Sequence, residues 1–233
     1  VNDGPVNTVP LVPQMVGENG TLNFWATLAV SDVDAGGNDV QASLSVQHGT
    51  LTLGPTTGLT LAVGGGTSGV TVVGSVDEIN AALNGLGYTP ASNYNGSDTL
   101  TMTSNDQGNT GSGGALSDTD LVAITVSNVN NAPAIAVVTA TQAITDKQTV
   151  APFGDVTIGD VDSPAQTLAV TVSLNDNAAG AFTAGSLSGS GFSGSGPYLF
   201  SGTANAATVA IRQLVFDPAE NRVAPGTWED VVL

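Results

Sequence analysis

The chain has 233 residues, enough for one large domain or two of ordinary size, and 41% of them are hydrophobic, so a core can form. It contains 20 acids and only 3 bases, giving a formal net charge of −17, which excludes ordinary nucleic-acid binding and disfavours docking on anionic lipid. Bound divalent cations would relieve the self-repulsion of this charge; the alternative is simple solubility in a salty medium.

The chain has no cysteine, and an extracellular domain manages without disulfides if its core is large enough or if metals stabilise it. No run reaches the roughly 20 apolar residues of a membrane helix, so we expect no membrane insertion. The N-terminus has neither an initiator Met nor a signal peptide. We therefore expect this sequence to be an internal part of a longer protein.

Short segments of alternating apolar and polar residues, separated by Gly and Asn, predict β-strands along the first half of the chain. About seven such strands at this spacing are typical of a β-sandwich. The predicted strands are residues 22–30, 40–47, 50–53, 59–63, 70–73, 99–103 and 121–126.

One short helix is predicted between these strands. Ser75 and Glu78 form a capping-box pattern, with Ser75 as the N-cap and Glu78 reaching back to it. We expect Gly85 or Gly87 to end the helix. Its apolar face is predicted to consist of Ile79, Ala82, Leu83 and Leu86.

The sequence repeats itself without a gap when Asp32 is aligned with Asp160, and we call this displacement the repeat offset. The motif at 32–34 then falls on 160–162, the helical segment at 79–90 falls on 207–218, and Asn93 falls on Asn221. This predicts two domains, 1–131 and 132–233, each with one short helix. Leu233 corresponds to Asn105, so the second repeat is expected to lack its last strand, through truncation or because a neighbour supplies it.

Two aspartates end a predicted strand in each repeat. Asp32 and Asp34 are two positions apart, so their side chains leave the same side of the strand about 6–7 Å apart and repel each other unless a cation lies between them. Calcium takes six to eight oxygens at about 2.3–2.6 Å, so further ligands are needed. The alternative is that these residues only cap turns. Candidate further ligands are Asn2, Asp3 and Asp106 for this pair, and Glu18, Asn128, Asn130 and Asn131 for the second pair, Asp160 and Asp162.

These motifs resemble cadherin repeats. Each linker has an Asn-Asp/Asn-x-Pro pattern, at 2–5 and at 130–133. The proline of each linker is followed at matching distances by an acid, Glu18 or Asp146, and then by an Asp-x-Asp, at 32–34 or 160–162. The segments at 88–98 and 103–106 resemble bacterial relatives in giant surface adhesins. The resemblance implies tandem Greek-key β-sandwiches of the cadherin or immunoglobulin-like class.

The resemblance also implies shared calcium ions where consecutive repeats meet. The implied ligands are Glu18, Asn128, Asn130, Asn131, Asp160 and Asp162 at the internal junction, and Asn2, Asp3, Asp32, Asp34 and Asp106 at the N-terminal one. The sequence departs from the pattern at Asn131, where the first linker has Asp3, and the second repeat ends before a counterpart of Asp106. Fewer carboxylates imply weaker calcium binding at the internal junction.

No residue pattern predicts an enzyme. His48 is expected to be a turn residue, because its counterpart in the second repeat is Asp176 and a catalytic histidine needs a nucleophile and an orienting acid. Trp25 and Trp228 could stack on sugars, but burial is the commoner state of a sandwich tryptophan. Asp118 and Asp120 are expected to serve solvation.

The predicted function is that of a calcium-stiffened spacer or adhesion module in an extracellular or cell-surface bacterial protein, with neighbouring repeats as its first partners. Copies of itself and cell-surface glycans are further candidate partners. Two alternatives stay open. One is a subunit of an extracellular filament assembled by strand complementation at an open sheet edge. The other is a carbohydrate-binding module.

Overall fold

A computed structural model describes residues 1–108, 112–139, 141–224 and 226–233 of the chain. The chain divides into two compact units, Val1–Val129 (unit 1) and Asn130–Leu233 (unit 2). Strands are the main regular structure in both units, which confirms the all-β class. Within the described residues, no helix is both long and apolar enough to span a bilayer.

Unit 1 consists of eleven strands and the helix α1 (Val76–Leu83) within its described residues. The helix lies between the eighth and ninth strands. The strands are β1 (Val6–Thr8), β2 (Gln14–Gly17), β3 (Leu22–Asn23), β4 (Ala29–Ser31), β5 (Val40–Ser45), β6 (Gly49–Thr52), β7 (Leu61–Val63), β8 (Gly69–Gly74), β9 (Gly87–Pro90), β10 (Gly96–Asn105) and β11 (Ser117–Ser127).

Two sheets enclose the core of unit 1. Six strands form a sheet in the order β2-β11-β10-β5-β8-β7, three form a second sheet in the order β3-β9-β6, and β1 pairs with β4. Most even-numbered residues of the four central strands, such as Leu44, Leu100 and Ile124, are buried and share one apolar cluster with Phe24 and Tyr88. This alternation is the pattern of a sheet with one face on a core.

The strand predicted at residues 22–30 is two separate strands, β3 and β4, joined by a turn. Ala26 occupies this turn with a φ of 52°, and its N–H donates to the Asn84 side-chain oxygen at 2.7 Å. The segment from Phe24 to Thr27 contains no Gly or Pro to indicate a turn. The partner that stabilises the turn lies 58 residues further along the chain, so the local pattern could not show it.

Helix α1 begins as predicted. The Glu78 carboxylate accepts hydrogen bonds from the Ser75 hydroxyl at 2.8 Å and the Ser75 N–H at 2.9 Å, and these bonds lower the pKa of Glu78. The predicted apolar face is buried at Ile79, Ala82 and Leu83. The helix ends at Leu83 with Asn84 as its C-cap, so the glycines at 85 and 87 lie beyond it.

Unit 2 has fewer strands and more helix than unit 1. Its described strands pair as β12 with β13, β14 with β16, and β15 with β17. The elements are β12 (Ala134–Ala136), β13 (Thr157–Gly159), β14 (Leu168–Val172), a 3-10 helix (Asn177–Ala179), β15 (Gly180–Phe182), α2 (Ala184–Ser190), β16 (Tyr198–Gly202), α3 (Ala204–Arg212) and β17 (Phe216–Pro218).

Aromatic rings fill the core of unit 2. Phe182 makes edge-to-face contacts with Tyr198, at 4.9 Å between ring centroids, and with Phe216, at 6.0 Å. Such contacts stabilise a core beyond the area they bury. The prediction of one helix per repeat is wrong for this unit, because α2 lies between β15 and β16 in addition to α3.

The repeat offset relates the strand pairs of the two units. The pair Val6 and Ser31 of β1–β4 matches Ala134 and Gly159 of β12–β13, and β5–β8 matches β14–β16 in the same way. The gapless alignment fails at the counterpart of β6, among other strands. Pro90 pairs with Gly49, whose counterpart at the repeat offset is Asn177, but Pro218 pairs with Gly180 instead. Between β15 and β16, unit 2 contains the helix α2, whereas unit 1 has the strand β7 between β6 and β8.

In each repeat one side chain of the helix makes two hydrogen bonds to a single residue of the neighbouring strand. The Asn80 amide accepts from the Val30 N–H at 2.8 Å and donates to the Val30 carbonyl at 2.9 Å. In unit 2 the Thr208 hydroxyl accepts from the Ile158 N–H at 2.8 Å and donates to the Ile158 carbonyl at 3.0 Å. We call this contact the helix–strand bridge; both of its residues keep the repeat offset.

Candidate functional site

Five of the predicted ligands of unit 1 lie together and are linked by hydrogen bonds. We call Asn2, Asp3, Asp32, Asp34 and Asp106 the first acidic group. The Asn2 amide donates to Asp106 Oδ2 at 2.6 Å, and the Asp3 N–H donates to Asp34 Oδ2 at 3.1 Å. The Asp34 N–H donates to Asp32 Oδ1 at 3.1 Å. The linker residues thus connect the aspartate pair to an acid that follows β10, far along the chain.

Asp106 is the most deeply buried acid of this group, with 1% of its surface exposed. Its Oδ1 accepts from the Leu116 N–H at 2.8 Å and from the Gly108 N–H at 2.9 Å. Burial alone would raise the pKa of Asp106, but these hydrogen bonds and the one from Asn2 outweigh it and lower the pKa. Asp106 is therefore charged at neutral pH and positions the loop that follows β10.

Asp32 has an oxygen without a partner. Its Oδ1 accepts from the N–H groups of Asp34 and Ala35, but its Oδ2 is buried and has no hydrogen bond among the described residues. Burial, and after it the nearby Asp34 carboxylate, raise the pKa of Asp32 against the backbone hydrogen bonds that lower it. An unsatisfied buried carboxylate oxygen next to a second carboxylate is the environment that a cation would stabilise.

Glu18 lies at the other end of unit 1. It is 4% exposed, and its carboxylate accepts from the Val129 N–H at 3.2 Å and the Asn95 amide at 3.3 Å. Its N–H donates to the Ser127 carbonyl at the end of β11, whereas Asp106 binds Leu116 just before the start of that strand. With a rise of about 3.3 Å per residue, β11 separates the two carboxylates by roughly 30–35 Å. Asn128 follows the same strand end and is exposed.

Unit 2 repeats the contacts of the aspartate pair. The Asn131 N–H donates to both carboxylate oxygens of Asp162 at 3.0 Å, and the Asp162 N–H donates to Asp160 Oδ1 at 3.0 Å. The Asn131 amide and the Gln166 amide also donate to Asp162, which is 7% exposed. Asn130 is exposed and its amide faces the Asn131 carbonyl at 3.5 Å.

The fit to a metal is partial. In the described part of the chain, no set of three or more Asp, Glu, His or Cys side chains is arranged to hold a metal ion. Calcium, however, also takes amide and carbonyl oxygens, which Asn2, Asn130 and Asn131 supply. In the first acidic group, N–H donors occupy both oxygens of Asp106 and one oxygen each of Asp32 and Asp34. The Oδ2 of Asp32 is the buried oxygen of this group that has no donor among the described residues.

A further acid, Asp98, has a structural role that the sequence did not indicate. It is 5% exposed, and its carboxylate accepts from the N–H groups of Gln47, His48 and Thr99 and from the Tyr88 hydroxyl at 2.9 Å. Burial raises the pKa of Asp98, but these four bonds outweigh it and hold the pKa below its usual range. We call Asp98 and its donors the Asp98 hub.

The residues considered for catalysis and sugar binding occupy exposed positions. The exposed His48 ring stacks on Tyr94 with centroids 4.1 Å apart, and its backbone belongs to the Asp98 hub. The expectation of buried tryptophans is wrong, because Trp25 is 66% and Trp228 is 84% exposed. Asp118 does more than interact with solvent, since it accepts from the Asn7 N–H at 2.8 Å and so fixes β1.

No protein-family model and no curated protein matches this chain. The resemblance to cadherin repeats therefore stays a prediction from the chain's own residues, and what it implies for function is a proposal.

Proposed function

We propose that the chain is a pair of calcium-binding β-sandwich repeats that serves as a spacer or adhesion element of an extracellular surface protein. The supporting observation is the duplication of one hydrogen-bond pattern. In both units a linker N–H binds the second aspartate of an Asp-x-Asp motif, and the N–H of that aspartate binds the first. Turn capping needs only the second of these bonds. The bond from the linker N–H holds the linker next to the two carboxylates.

The two sheets of unit 1 support the sandwich assignment. They share one apolar cluster, in which even-numbered residues of the six-stranded sheet meet Leu51 and Tyr88 of the three-stranded sheet. Helix α1 closes the same cluster through Ile79 and Leu83. Two mainly antiparallel sheets around one core are the architecture of the cadherin and immunoglobulin-like sandwiches.

Calcium would act on the fold through its charge. Asp32 Oδ2 is buried without a partner beside Asp34, in a chain of net charge −17. A divalent ion at this oxygen would neutralise the pair, and the Asp3 and Asn2 oxygens and water would complete the six to eight ligands. Because ligands from the linker would then be held to the strand end, calcium would limit bending of the linker. A tandem array with restrained linkers is a stiff spacer.

Calcium titration of the full chain tests the proposal. We expect micromolar to millimolar calcium to raise the melting temperature and Asp32→Asn to weaken this response at least about tenfold, because the ion loses a carboxylate ligand. Asp77→Asn removes the same charge from an exposed position of α1 and serves as the matched control. Binding should weaken as the pH falls through the raised pKa of Asp32, because protons compete with the ion.

Solution scattering with and without calcium tests the stiffening itself. We expect the distance distribution to become narrower and longer on calcium addition in the wild type and in Asp77→Asn, and to change little in Asp160→Asn, which removes a carboxylate next to the Asp162 that binds linker residue Asn131. Asp32 lies at the far end of unit 1 from this linker, so Asp32→Asn should keep the wild-type scattering response. The proposal would be contradicted if millimolar calcium changed neither the melting temperature nor the scattering profile of the wild type.

A further inference from the structure

The outer face of the six-stranded sheet in unit 1 is free of charge. Odd-numbered residues of all six strands share this face. Successive residues of a strand point to opposite sides of the sheet, and in each strand pair an odd-numbered residue lies opposite an odd-numbered residue of the neighbouring strand. None of these odd-numbered residues is Asp, Glu, Lys or Arg, and Thr and Ser predominate. We call this surface the threonine face.

The placement of acids on these strands is the reverse of the usual one. A sheet with one solvated face normally has its charged residues on that face. Here the three acids of β10 and β11, namely Asp98, Asp118 and Asp120, all take even-numbered positions on the inward side. Unit 1 contains eleven of the 20 acids and none of the 3 bases, so the uncharged face contrasts with the rest of its surface.

Several polar side chains of the threonine face bond to each other across neighbouring strands. The hydroxyls of Thr103 and Thr119 lie 3.0 Å apart on neighbouring strands, and those of Ser43 and Thr71 lie 3.1 Å apart. These lateral bonds fix the rotamers and satisfy part of the hydrogen-bonding capacity. A partner that covers the face would therefore lose little side-chain freedom and displace weakly held water.

Exposed apolar side chains complete this surface. Leu121 is 64% exposed on β11, and Met15, which pairs with Thr125 on the neighbouring edge strand, is 71% exposed. On the opposite edge strand, Val63 is 48% exposed. The face therefore combines a hydroxyl-lined centre with apolar edges, and an uncharged partner of the same composition would match it.

We propose that the threonine face docks weakly on the threonine face of a second copy of this chain. Unit 1 has no Lys or Arg, so two copies repel each other wherever their acids meet, and the threonine face is the broad surface where this repulsion is least. The face has no aromatic side chain that could stack on a sugar. A like-on-like contact closes by a two-fold axis and stops at the dimer.

The size of the face predicts a transient contact. The six strands have 3 to 11 residues each, and at about 3.3 Å per residue and 4.8 Å between strands they present roughly 600 Å² on each copy. This is below the roughly 800 Å² per partner of a standard specific interface. We therefore expect a dissociation constant of roughly 10⁻⁴ M, which would suffice when many repeats are presented together.

Sedimentation equilibrium of the full chain in chelator tests this inference independently of calcium, so its outcome does not depend on the function proposed above. We expect the average mass to rise towards that of a dimer between about 0.05 and 1 mM, and to rise further with added NaCl, because salt screens like charges. Amide shifts on dilution should map to β5, β8 and β10. A contact made by opposite charges would weaken with salt instead.

Thr101→Glu, at the centre of the face, should abolish the dimer. Thr52→Glu adds the same charge to an exposed position of β6 on the other sheet and should leave it intact. A mixture of Thr101→Glu and Thr101→Lys should restore a mixed dimer, which a folding defect could not explain. A chain that stays monomeric at 1 mM in high salt, or binds a neutral polysaccharide through this face without dimerising, would overturn the inference.

Discussion

A single buried carboxylate organises one end of the unit 1 core. Asp98 connects the turn after β5, through the N–H groups of Gln47 and His48, to the Tyr88 hydroxyl in β9 and to its own strand. Burial, and after it the hydrogen bond to Asp98, raise the pKa of Tyr88, so the phenol stays neutral throughout the physiological range. In unit 2 the position of Tyr88 is taken by Phe216, which has no hydroxyl to donate.

Asp98→Asn should destabilise unit 1 by about 1–3 kcal/mol at neutral pH, because a neutral amide replaces a charged acceptor and its NH2 group faces two of the four donors. The pKa of Asp98 is lower in the folded than in the unfolded state, so the charge stabilises the fold above the usual carboxyl pKa of 3.8. That stabilisation is lost as the pH falls through the folded-state pKa.

Urea unfolding at pH 7, 5 and 3 provides the measurement for Asp98. The difference between wild type and variant should be full at pH 7 and shrink at pH 3. Asp77→Asn, on the exposed side of α1, is the control for removal of one charge. An unchanged difference at pH 3 would mean that the carboxylate charge has no part in the effect.

The acidic residues were easier to predict than their roles. Duplication and spacing identify Asp32, Asp34, Asp160 and Asp162, and the structure brings the first two together with Asn2, Asp3 and Asp106. Asp98 has no counterpart at the repeat offset, since Gly226 stands there. Its partners lie about 50 residues away, so only the folded backbone shows that the carboxylate is buried and bonded.

At the level of elements, the helix–strand bridge explains why the helix is retained in both repeats. Asn80 and Thr208 differ in shape and chemistry, yet each offers one donor and one acceptor to a single residue of a short strand. The strand residues, Val30 and Ile158, are buried at their side chains. Each of these strands pairs with only one other strand, so without the bridge the N–H and carbonyl of Val30 and Ile158 would lose these partners.

Asn80→Ala should destabilise unit 1 by about 1–3 kcal/mol, because the N–H and carbonyl of Val30 lose their partner. Alanine is the better helix former, so the measured value is a lower limit for the bridge. Asn80→Thr installs the residue that serves in unit 2 and should recover most of the loss. Chemical denaturation compares the three chains, and equal destabilisation by Ala and Thr would contradict the role of the bridge.

Elements with strong local patterns were predicted well, and those that depend on distant partners were not. The capping box and apolar face of α1 are local features and are confirmed. The division of residues 22–30 involves the distant Asn84. The shifted pairing of β15 follows the 3-10 helix that precedes this strand, which sequence alignment against unit 1 could not reveal. The segment of α2 is rich in Gly and Ser, which are poor helix formers, so its capping by Thr183 and its packing decide its structure.

At the scale of the whole molecule, the charge is distributed unevenly. All 3 bases lie in unit 2, where Arg222 forms ion pairs with Asp176 and Glu229 and ties residues after β17 to the 3-10 helix. Unit 1 has no such compensation. The two explanations of the net charge, cation binding and simple solubility, therefore predict different responses of unit 1.

Sodium chloride and calcium chloride at equal ionic strength should distinguish these explanations. Screening alone would raise the melting temperature of unit 1 equally with both salts. Specific binding should give an additional increase with calcium at concentrations well below about 10 mM, where sodium has almost no effect. Calorimetry resolves the comparison, with Asp32→Asn expected to follow the sodium curve in both salts. Identical curves for the wild type would favour solubility as the sole role of the charge.

The exposure of both tryptophans has a practical consequence for every such experiment. Trp25 and Trp228 already face water in the native chain. The buried tyrosines, Tyr88 in unit 1 and Tyr198 in unit 2, fluoresce weakly compared with tryptophan. Indole emission should thus shift little in wavelength on denaturation, and a flat trace would not signify a stable protein. Near-ultraviolet dichroism of the shielded phenols is the optical signal that should vanish when the cores open.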